Sequence, residues 1–396
     1  MTDFAATRAL FDLPDGIAYL DGNSLGPLAR AVPDRVARTM TREWGGDLIG
    51  AWNSAGWMDW PERLGDRIAP LIGAAPGTVT LGDTLSIKVH QALAAALSLT
   101  DRRVILSDTG NFPTDLYMAQ GLVRTLDAGH ALRVVAPEEV ESHLSDDIAV
   151  LLLTEVDYRT GRRHDMARLG DRARRNGIIT VWDLAHSAGA LPVDVTACGT
   201  DFAVGCTYKY LNSGPGGPAF LHVGPQVAER IDPALPGWLG HAAPFDFDPQ
   251  YRPAAAAKRF RIGTPPVLQM AALDAALDVW DIASIHDVRA RSVDLSRRLI
   301  DGVRAACPAL VLASPGDDAA RGSQVSFRHP QGYAIMQALI AEGVIGDFRA
   351  PDILRFGITP LYIGTPEIDR CVETLARIMD RGLWDDPAFR RRQAVT

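Results

Sequence analysis

At 396 residues, 47% hydrophobic and 22% charged, the chain exceeds one ordinary domain and is apolar enough for a sizeable core. A formal net charge of -8 argues against non-specific nucleic-acid binding, and no stretch reaches the roughly 18 to 20 apolar residues of a membrane span. Cys198, Cys206, Cys307 and Cys371 form no CxxC pair and no zinc-ligand spacing, and the chain opens without a basic and apolar leader. The expected setting is therefore the cytoplasm, with no metal.

In chain order, Tyr19-Leu20 reads as a short strand entering a turn-rich loop, Asp21 to Pro27, whose Asn23-Ser24 pair can set the turn or face a ligand. A helix is predicted from about Ala31 to Trp44. Trp52, Trp57 and Trp60 then fall within nine residues of what reads as a polar loop. They form either a stacking wall or lid for a flat ligand, or an interface. Val79 to Gly82 leads into Asp83-Thr84-Leu85-Ser86 and an apolar helix through Ser98. Hydroxyl residues at a helix start cap it, and the same free N–H groups and dipole can hold an anion.

Between about residues 100 and 225 strands alternate with helices. Val104-Ile105-Leu106, Leu132 to Val135, Ile148 to Thr154, Ile178 to Trp182 and Phe202 to Cys206 are apolar strands. Runs of this kind indicate a mostly parallel sheet covered on both faces, a three-layer α-β-α sandwich. Ligands bind such sheets outside the carboxyl ends of the strands. Three polar features lie there: the loop Asn111 to Asp115, Asp183 and Lys209. Beyond a loop-rich stretch at 230–262, helices at 266–280 and 286–306 precede a mixture of short strands and two more helices. The expected division is an N-terminal segment, 1–50, that joins the small domain and dimer contacts; a large cofactor domain, 51–285; and a small C-terminal α/β domain, 286–396.

Lys209 stands between Tyr208 and Tyr210, where an apolar strand meets Asn212-Ser213-Gly214-Pro215-Gly216-Gly217. That turn cannot extend a strand or a helix. An amine held out of bulk water at such a place is a Schiff-base nucleophile once it loses its proton. Asp183 lies 26 residues upstream, one β-α-β step, so the two strand ends should be neighbours. Lysine, aspartate and an anion-binding helix start are what pyridoxal 5'-phosphate requires. Lys209 bonds the cofactor, Asp183 keeps its ring nitrogen protonated, the Thr84–Ser86 helix start holds the phosphate, and Phe112 can lie on the ring face.

Six stretches carry a resemblance to one family: YLDGNSLGPL at 19–28, FPTD at 112–115, DLAHSAG at 183–189, YKYLNSGPGG at 208–217, GWLGH at 237–241 and RIGTPP at 261–266. The chain resembles the kynureninases, members of the aminotransferase-like fold type I group of pyridoxal-phosphate enzymes. The resemblance implies hydrolytic Cβ–Cγ cleavage of L-kynurenine to anthranilate and L-alanine, in a homodimer with active sites at the subunit interface. It implies that Leu85, Ser86, Phe112, Pro113, Thr114, Asp115 and His186 contact the cofactor beside Lys209 and Asp183. Tyr208 would serve the phosphate and act as an acid. Trp238 and Thr264 would be lent across the interface. Arg355 would clamp the substrate α-carboxylate through a paired guanidinium contact. Asn23, Ser24 and Trp57 are expected at the substrate. Kynureninases selective for 3-hydroxykynurenine resemble one another in an asparagine where this chain has Thr264, so L-kynurenine is the expected substrate, with 3-hydroxykynurenine second.

Rival readings are a class V aminotransferase, which shares the lysine–aspartate pair, and a cysteine desulfurase-like lyase, which needs a reactive cysteine on a mobile loop. A non-catalytic scaffold of the same fold would be marked by loss of the lysine, and Lys209 is present.

Overall fold

The apolar runs between residues 79 and 223 assemble into one seven-stranded sheet in the computed structural model, which describes residues 1–392. In chain order its strands are β1 (Val79–Leu81), β2 (Val104–Asp108), β3 (Ala131–Val135), β4 (Ile148–Thr154), β5 (Ile179–Asp183), β6 (Phe202–Gly205) and β7 (Phe220–Val223). They lie side by side as β1-β7-β6-β5-β4-β2-β3. Strands β2 to β6 pair in parallel, and β7 runs antiparallel to both β6 and β1. The mostly parallel sheet expected from the sequence is therefore present.

Alternation along each strand feeds two separate cores. Leu151 and Leu153 of β4 face one side, Val150 and Leu152 the other. On one face lie α1 (Leu85–Ser98) and α2 (Pro113–Leu126); on the other, α3 (Met166–Arg175) and α4 (Val267–Ala276). Each fully buried aliphatic or aromatic side chain contributes about 1.5 to 3 kcal/mol, so both layers hold the strand ends in place.

A second unit is a four-stranded antiparallel sheet. Its strands are β8 (Val311–Leu312), β9 (Gln324–Arg328), β10 (Asp347–Arg349) and β11 (Ile353–Gly357), in the order β8-β9-β11-β10. It packs with α5 (Ile285–Ala306), α6 (Gly332–Ala341) and α7 (Thr365–Asp380). The N-terminal residues Phe11, Ala18, Leu20 and Ala29 share that core, and Ala18–Tyr19 pairs in parallel with Val344–Ile345. The chain thus starts in the small unit, and its next loop, at 21–27, reaches across to the large one.

Two local expectations are corrected. The helix expected over 31–44 is α-helical only over Val32–Arg38 and widens to a π-helix over Thr39–Trp44. Thr39 Oγ1 donates to the Arg35 carbonyl at 3.0 Å, a back-bond that loosens the regular ladder. The tryptophan stretch is not a loop. It forms helical turns over Ala51–Ser54 and Trp57–Asp59 and then a helix over Trp60–Ile68, with Trp57 and Trp60 in the core.

Among the described residues, no helix is long and apolar enough to cross a membrane.

Candidate active site

Strand β6 stops at Gly205, and the segment that follows turns off the sheet. Asn212 adopts a left-handed backbone, φ 56°, while Thr207 Oγ1 lies 2.7 Å from both Ser213 Oγ and the Pro218 carbonyl. These bonds close the turn. Because Tyr208 and Lys209 are no longer on a strand, they need not point to opposite faces, and the Lys209 Nζ lies 5.8 Å from the centre of the Tyr208 ring. The N-terminal loop lies directly on this turn. Gly26 N–H donates to the Tyr208 carbonyl at 2.7 Å, and a Cβ at Gly26 would stand 2.5 Å from the Lys209 carbonyl oxygen. Only glycine allows that approach.

Lys209 is half-buried and its Nζ is 3.0 Å from His186 Nε2. Burial, then the lysine charge, holds His186 well below its usual range. The imidazole is therefore neutral, and its Nε2 accepts from the amine. Its Nδ1 is buried without a partner. Asp183, the last residue of β5, sits level with Thr154 of β4 and Val204 of β6, so the parallel register carries it to the lysine's edge of the sheet. The Ala185 N–H donates to its Oδ1 at 2.8 Å. Burial pushes Asp183 up to about 6, opposed by the Lys209 charge. Asp115, in the first turn of α2, is buried against it, and burial with the Asp183 charge raises Asp115 well above the ordinary carboxylate range. The two carboxyls form a coupled pair, both raised by burial, that does not favour two charges at once.

Phe112 stands half out of this floor, 39% exposed, with its ring centre 6.0 Å from the Lys209 Nζ. Pro113 starts α2 behind it, Thr114 is half-buried, and Asn111 fastens the turn by accepting the Phe112 N–H at 2.8 Å. Antiparallel β7 places Phe220 opposite both Gly205 and Leu81, so the start of α1 opens on the same edge. There Thr84 has extended backbone and no side-chain cap bond. Its hydroxyl, Ser86 and the first-turn N–H groups remain free for an anion, with Leu85 half-buried between them.

Across the same cleft β11 delivers Arg355, 1% exposed. Its Nη1 donates to the Tyr158 carbonyl at 2.6 Å and its Nη2 to Ser24 Oγ at 2.9 Å and to Asp347. Its Nε–H is buried without a partner. Asn23, fully buried, donates to Gln324 Oε1 at 2.9 Å and supports the loop that presents Ser24. Tyr158 ties the two halves together: its carbonyl holds Arg355 and its ring meets Phe112 edge-on at 5.1 Å.

These features fit a flat, phosphate-bearing pyridine. The buried carboxyl pair matches a protonated ring nitrogen, Phe112 presents an exposed ring beside the amine, the amine matches its carbonyl carbon, and the start of α1 matches its phosphate.

Three expected residues lie elsewhere. Trp57 is corrected from a substrate wall to a core residue: it is 6% exposed, its Nε1 donates to Glu43 Oε2 at 3.0 Å, and its ring packs edge-on against Trp52, which leaves no free face. Trp238, 46% exposed, clusters with Phe245 and Phe247, and Thr264 is exposed on the adjoining segment. Within one protomer neither contacts Lys209. Sequence reasoning missed Asp21, Tyr158, Asp347 and Arg349. None lies at a catalytic spacing; Asp21 falls within the 19–28 stretch, and Asp347 and Arg349 lie on β10.

Comparison with known proteins supplies a family. A profile of the kynureninase C-terminal domain matches residues 288–375. A kynureninase of Deinococcus radiodurans is 50% identical over 384 residues, which cover 95% of this chain and 93% of that protein. A kynureninase of Pseudomonas fluorescens is 46% identical over 99% of this chain and 96% of its own length. Among solved structures, a C-DES mutant with glycine covalently linked to the PLP cofactor superposes with a TM-score of 0.83 at 20% identity, covering 93% of this chain and 98% of that one. The apo cysteine desulfurase of Thermococcus onnurineus gives 0.80 at 16% identity, over 95% and 98%. These two share the fold.

Proposed function

Because the chain belongs to the kynureninase family, we infer that it hydrolyses L-kynurenine to anthranilate and L-alanine in tryptophan catabolism, with pyridoxal 5'-phosphate as its cofactor. The observation that carries the site assignment is the half-buried Lys209 amine at one strand end beside the Asp183–Asp115 pair, with Arg355 held across the cleft.

The cofactor would be held by Lys209 at its carbonyl carbon, by Asp183 at its ring nitrogen and by Thr84, Leu85 and Ser86 at its phosphate. Phe112 would lie against the ring, and Pro113, Thr114 and His186 would complete the pocket. When bound, it supplies an electron-withdrawing ring that stabilises the electron pair left at the substrate Cα.

The side chains do the rest. Arg355 binds and orients the α-carboxylate, and Ser24 holds the guanidinium beside it by accepting from Nη2. Lys209 Nζ takes the proton from Cα, and neutral His186 steadies that amine by accepting its N–H. Water adds to the γ-carbonyl carbon, the Cβ–Cγ bond breaks, and anthranilate leaves. Tyr208 then protonates Cβ and regains its proton from the added water, and Lys209 returns its proton to Cα, which completes L-alanine. The Cys206 sulfur and burial keep the Tyr208 phenol above the ordinary range, so it holds the proton it must give.

No thiol here suits a desulfurase. Cys206, Cys307 and Cys371 are buried, and burial pushes the half-buried Cys198 up to about 11. We further propose a cytoplasmic homodimer in which Trp238 and Thr264 of one protomer complete the pocket of the other. Their exposure on one surface, with the aromatic trio Trp238, Phe245 and Phe247, supports this reading. Thr264 favours the unsubstituted ring. Steady-state kinetics test that preference: kcat/KM should be higher for L-kynurenine than for 3-hydroxykynurenine, and the reverse order would overturn it.

A further inference from the structure

Arg355 is not alone at the carboxylate site. Asp347, 2% exposed, contacts its Nη2, accepts from Ser24 Oγ at 2.9 Å, and pairs with Arg349 Nη2 at 2.8 Å. Behind them lies Asp21, at the start of the loop that carries Ser24. The Ser24 N–H donates to its carbonyl at 2.9 Å, while its buried carboxyl Oδ1 has no partner among the described residues. The cluster therefore holds two carboxylates, Asp21 and Asp347, and two guanidiniums, Arg349 and Arg355, with no net charge when all four are ionised. The phenols that face Asp21 add none, and neither does His186. The Tyr19, Tyr210 and Tyr362 phenols are all raised, chiefly by burial, and His186 is neutral.

A substrate carboxylate adds a third negative charge to a cluster whose positive charges are already matched and in which Arg355 and Asp347 are almost fully buried, while Asp21 and Arg349 keep partial exposure. Burying an unmatched charge is costly, and the carboxyl with an unpartnered oxygen is the one able to neutralise. From this geometry we infer that Asp21 is the proton-coupled counter-ion of the carboxylate site, taking up one proton when a carboxylate binds beside Arg355. This rests on the assignment of Arg355 to the α-carboxylate. It is consistent with burial and the Asp347 charge pushing Asp21 up to about 7, against the opposing pull of Ser24, Arg355 and Arg349.

The sign follows from linkage. Below about pH 7 Asp21 is already neutral and the site carries a net positive charge. Above it, binding must draw a proton from solution, so KM rises by up to about tenfold per pH unit. The test is the pH profile of KM and of kcat, from about pH 6 to about pH 9, for the wild-type holoenzyme, Asp21→Asn and Arg355→Lys. The inference expects the Asp21→Asn KM profile to lie flat relative to wild type, while its kcat profile keeps the wild-type shape. A wild-type KM slope in Asp21→Asn, with KM raised in Arg355→Lys, overturns the role of Asp21 and leaves the carboxylate site standing. An unchanged KM in Arg355→Lys overturns both. Should Asp21→Asn not fold, calorimetry of L-alanine binding to the wild-type holoenzyme in two buffers of different ionisation enthalpy decides. Proton uptake must grow by nearly one between about pH 6 and about pH 8; no growth overturns the inference.

Discussion

The Nζ of Lys209 and the Nε2 of His186 lie 3.0 Å apart, two basic nitrogens from neighbouring strand ends sharing one proton donor. Burial and the lysine charge keep the imidazole neutral, so the contact orients the amine without competing for its proton.

Replacing Lys209 with alanine should abolish the near-visible absorbance of the lysine-bound cofactor and lower kcat by at least about 1,000-fold, since no other amine stands at this position. An absorbance spectrum and a single-turnover assay check it. Retained turnover would contradict the site.

The carboxyl pair predicts an asymmetry. Asp183→Asn should lower kcat by about 100-fold or more, because a carboxylate facing the ring nitrogen is lost. Asp115→Asn keeps a hydrogen-bond donor toward Asp183 and should cost about tenfold or less. The raised folded value of Asp115 also fixes the sign of a stability effect. The unfolded chain releases this proton above about pH 4 while the folded chain keeps it, so stability falls as pH rises through that window. Urea midpoints of the cofactor-free protein should therefore fall less in Asp115→Asn than in wild type between about pH 5 and about pH 7.

Arg355→Lys keeps the charge but loses the planar fork. It should raise KM at least about tenfold, with a smaller effect on kcat, as expected for a charged hydrogen bond of about 1.5 to 3 kcal/mol. Steady-state kinetics separate the two constants; a larger fall in kcat than rise in KM would place Arg355 in the chemistry instead.

Much of this site was legible because it is local. Lys209 and Asp183 sit at the ends of apolar runs one β-α-β step apart, and parallel pairing makes such ends neighbours. The FPTD loop was legible for the same reason. Tyr158 and Asp347 were not, because they act by contacts between segments more than 100 residues apart, and Asp21 was not, because its charged neighbours come from β10 and β11; no periodicity records either. Trp57 misled because three clustered tryptophans are equally the mark of a stacking wall and of a packed helical turn. Its burial, its packing on Trp52 and the satisfaction of its Nε1 by Glu43 separate the two.

The proposed sharing of active sites between protomers predicts complementation. Lys209→Ala and a Trp238→Ala/Thr264→Ala double variant should each be nearly inactive alone. Mixed one to one and reassembled, they should recover up to about a quarter of wild-type activity, because half the dimers then hold one intact site of two. No recovery, with exchange verified by mass, would place Trp238 and Thr264 outside the partner's pocket.

The most direct test of the whole account is to add L-kynurenine to the purified pyridoxal-phosphate enzyme with no keto-acid present and follow anthranilate fluorescence together with L-alanine. The account predicts equimolar anthranilate and L-alanine over many turnovers. Absence of anthranilate, or turnover only when a keto-acid acceptor is supplied, would contradict it.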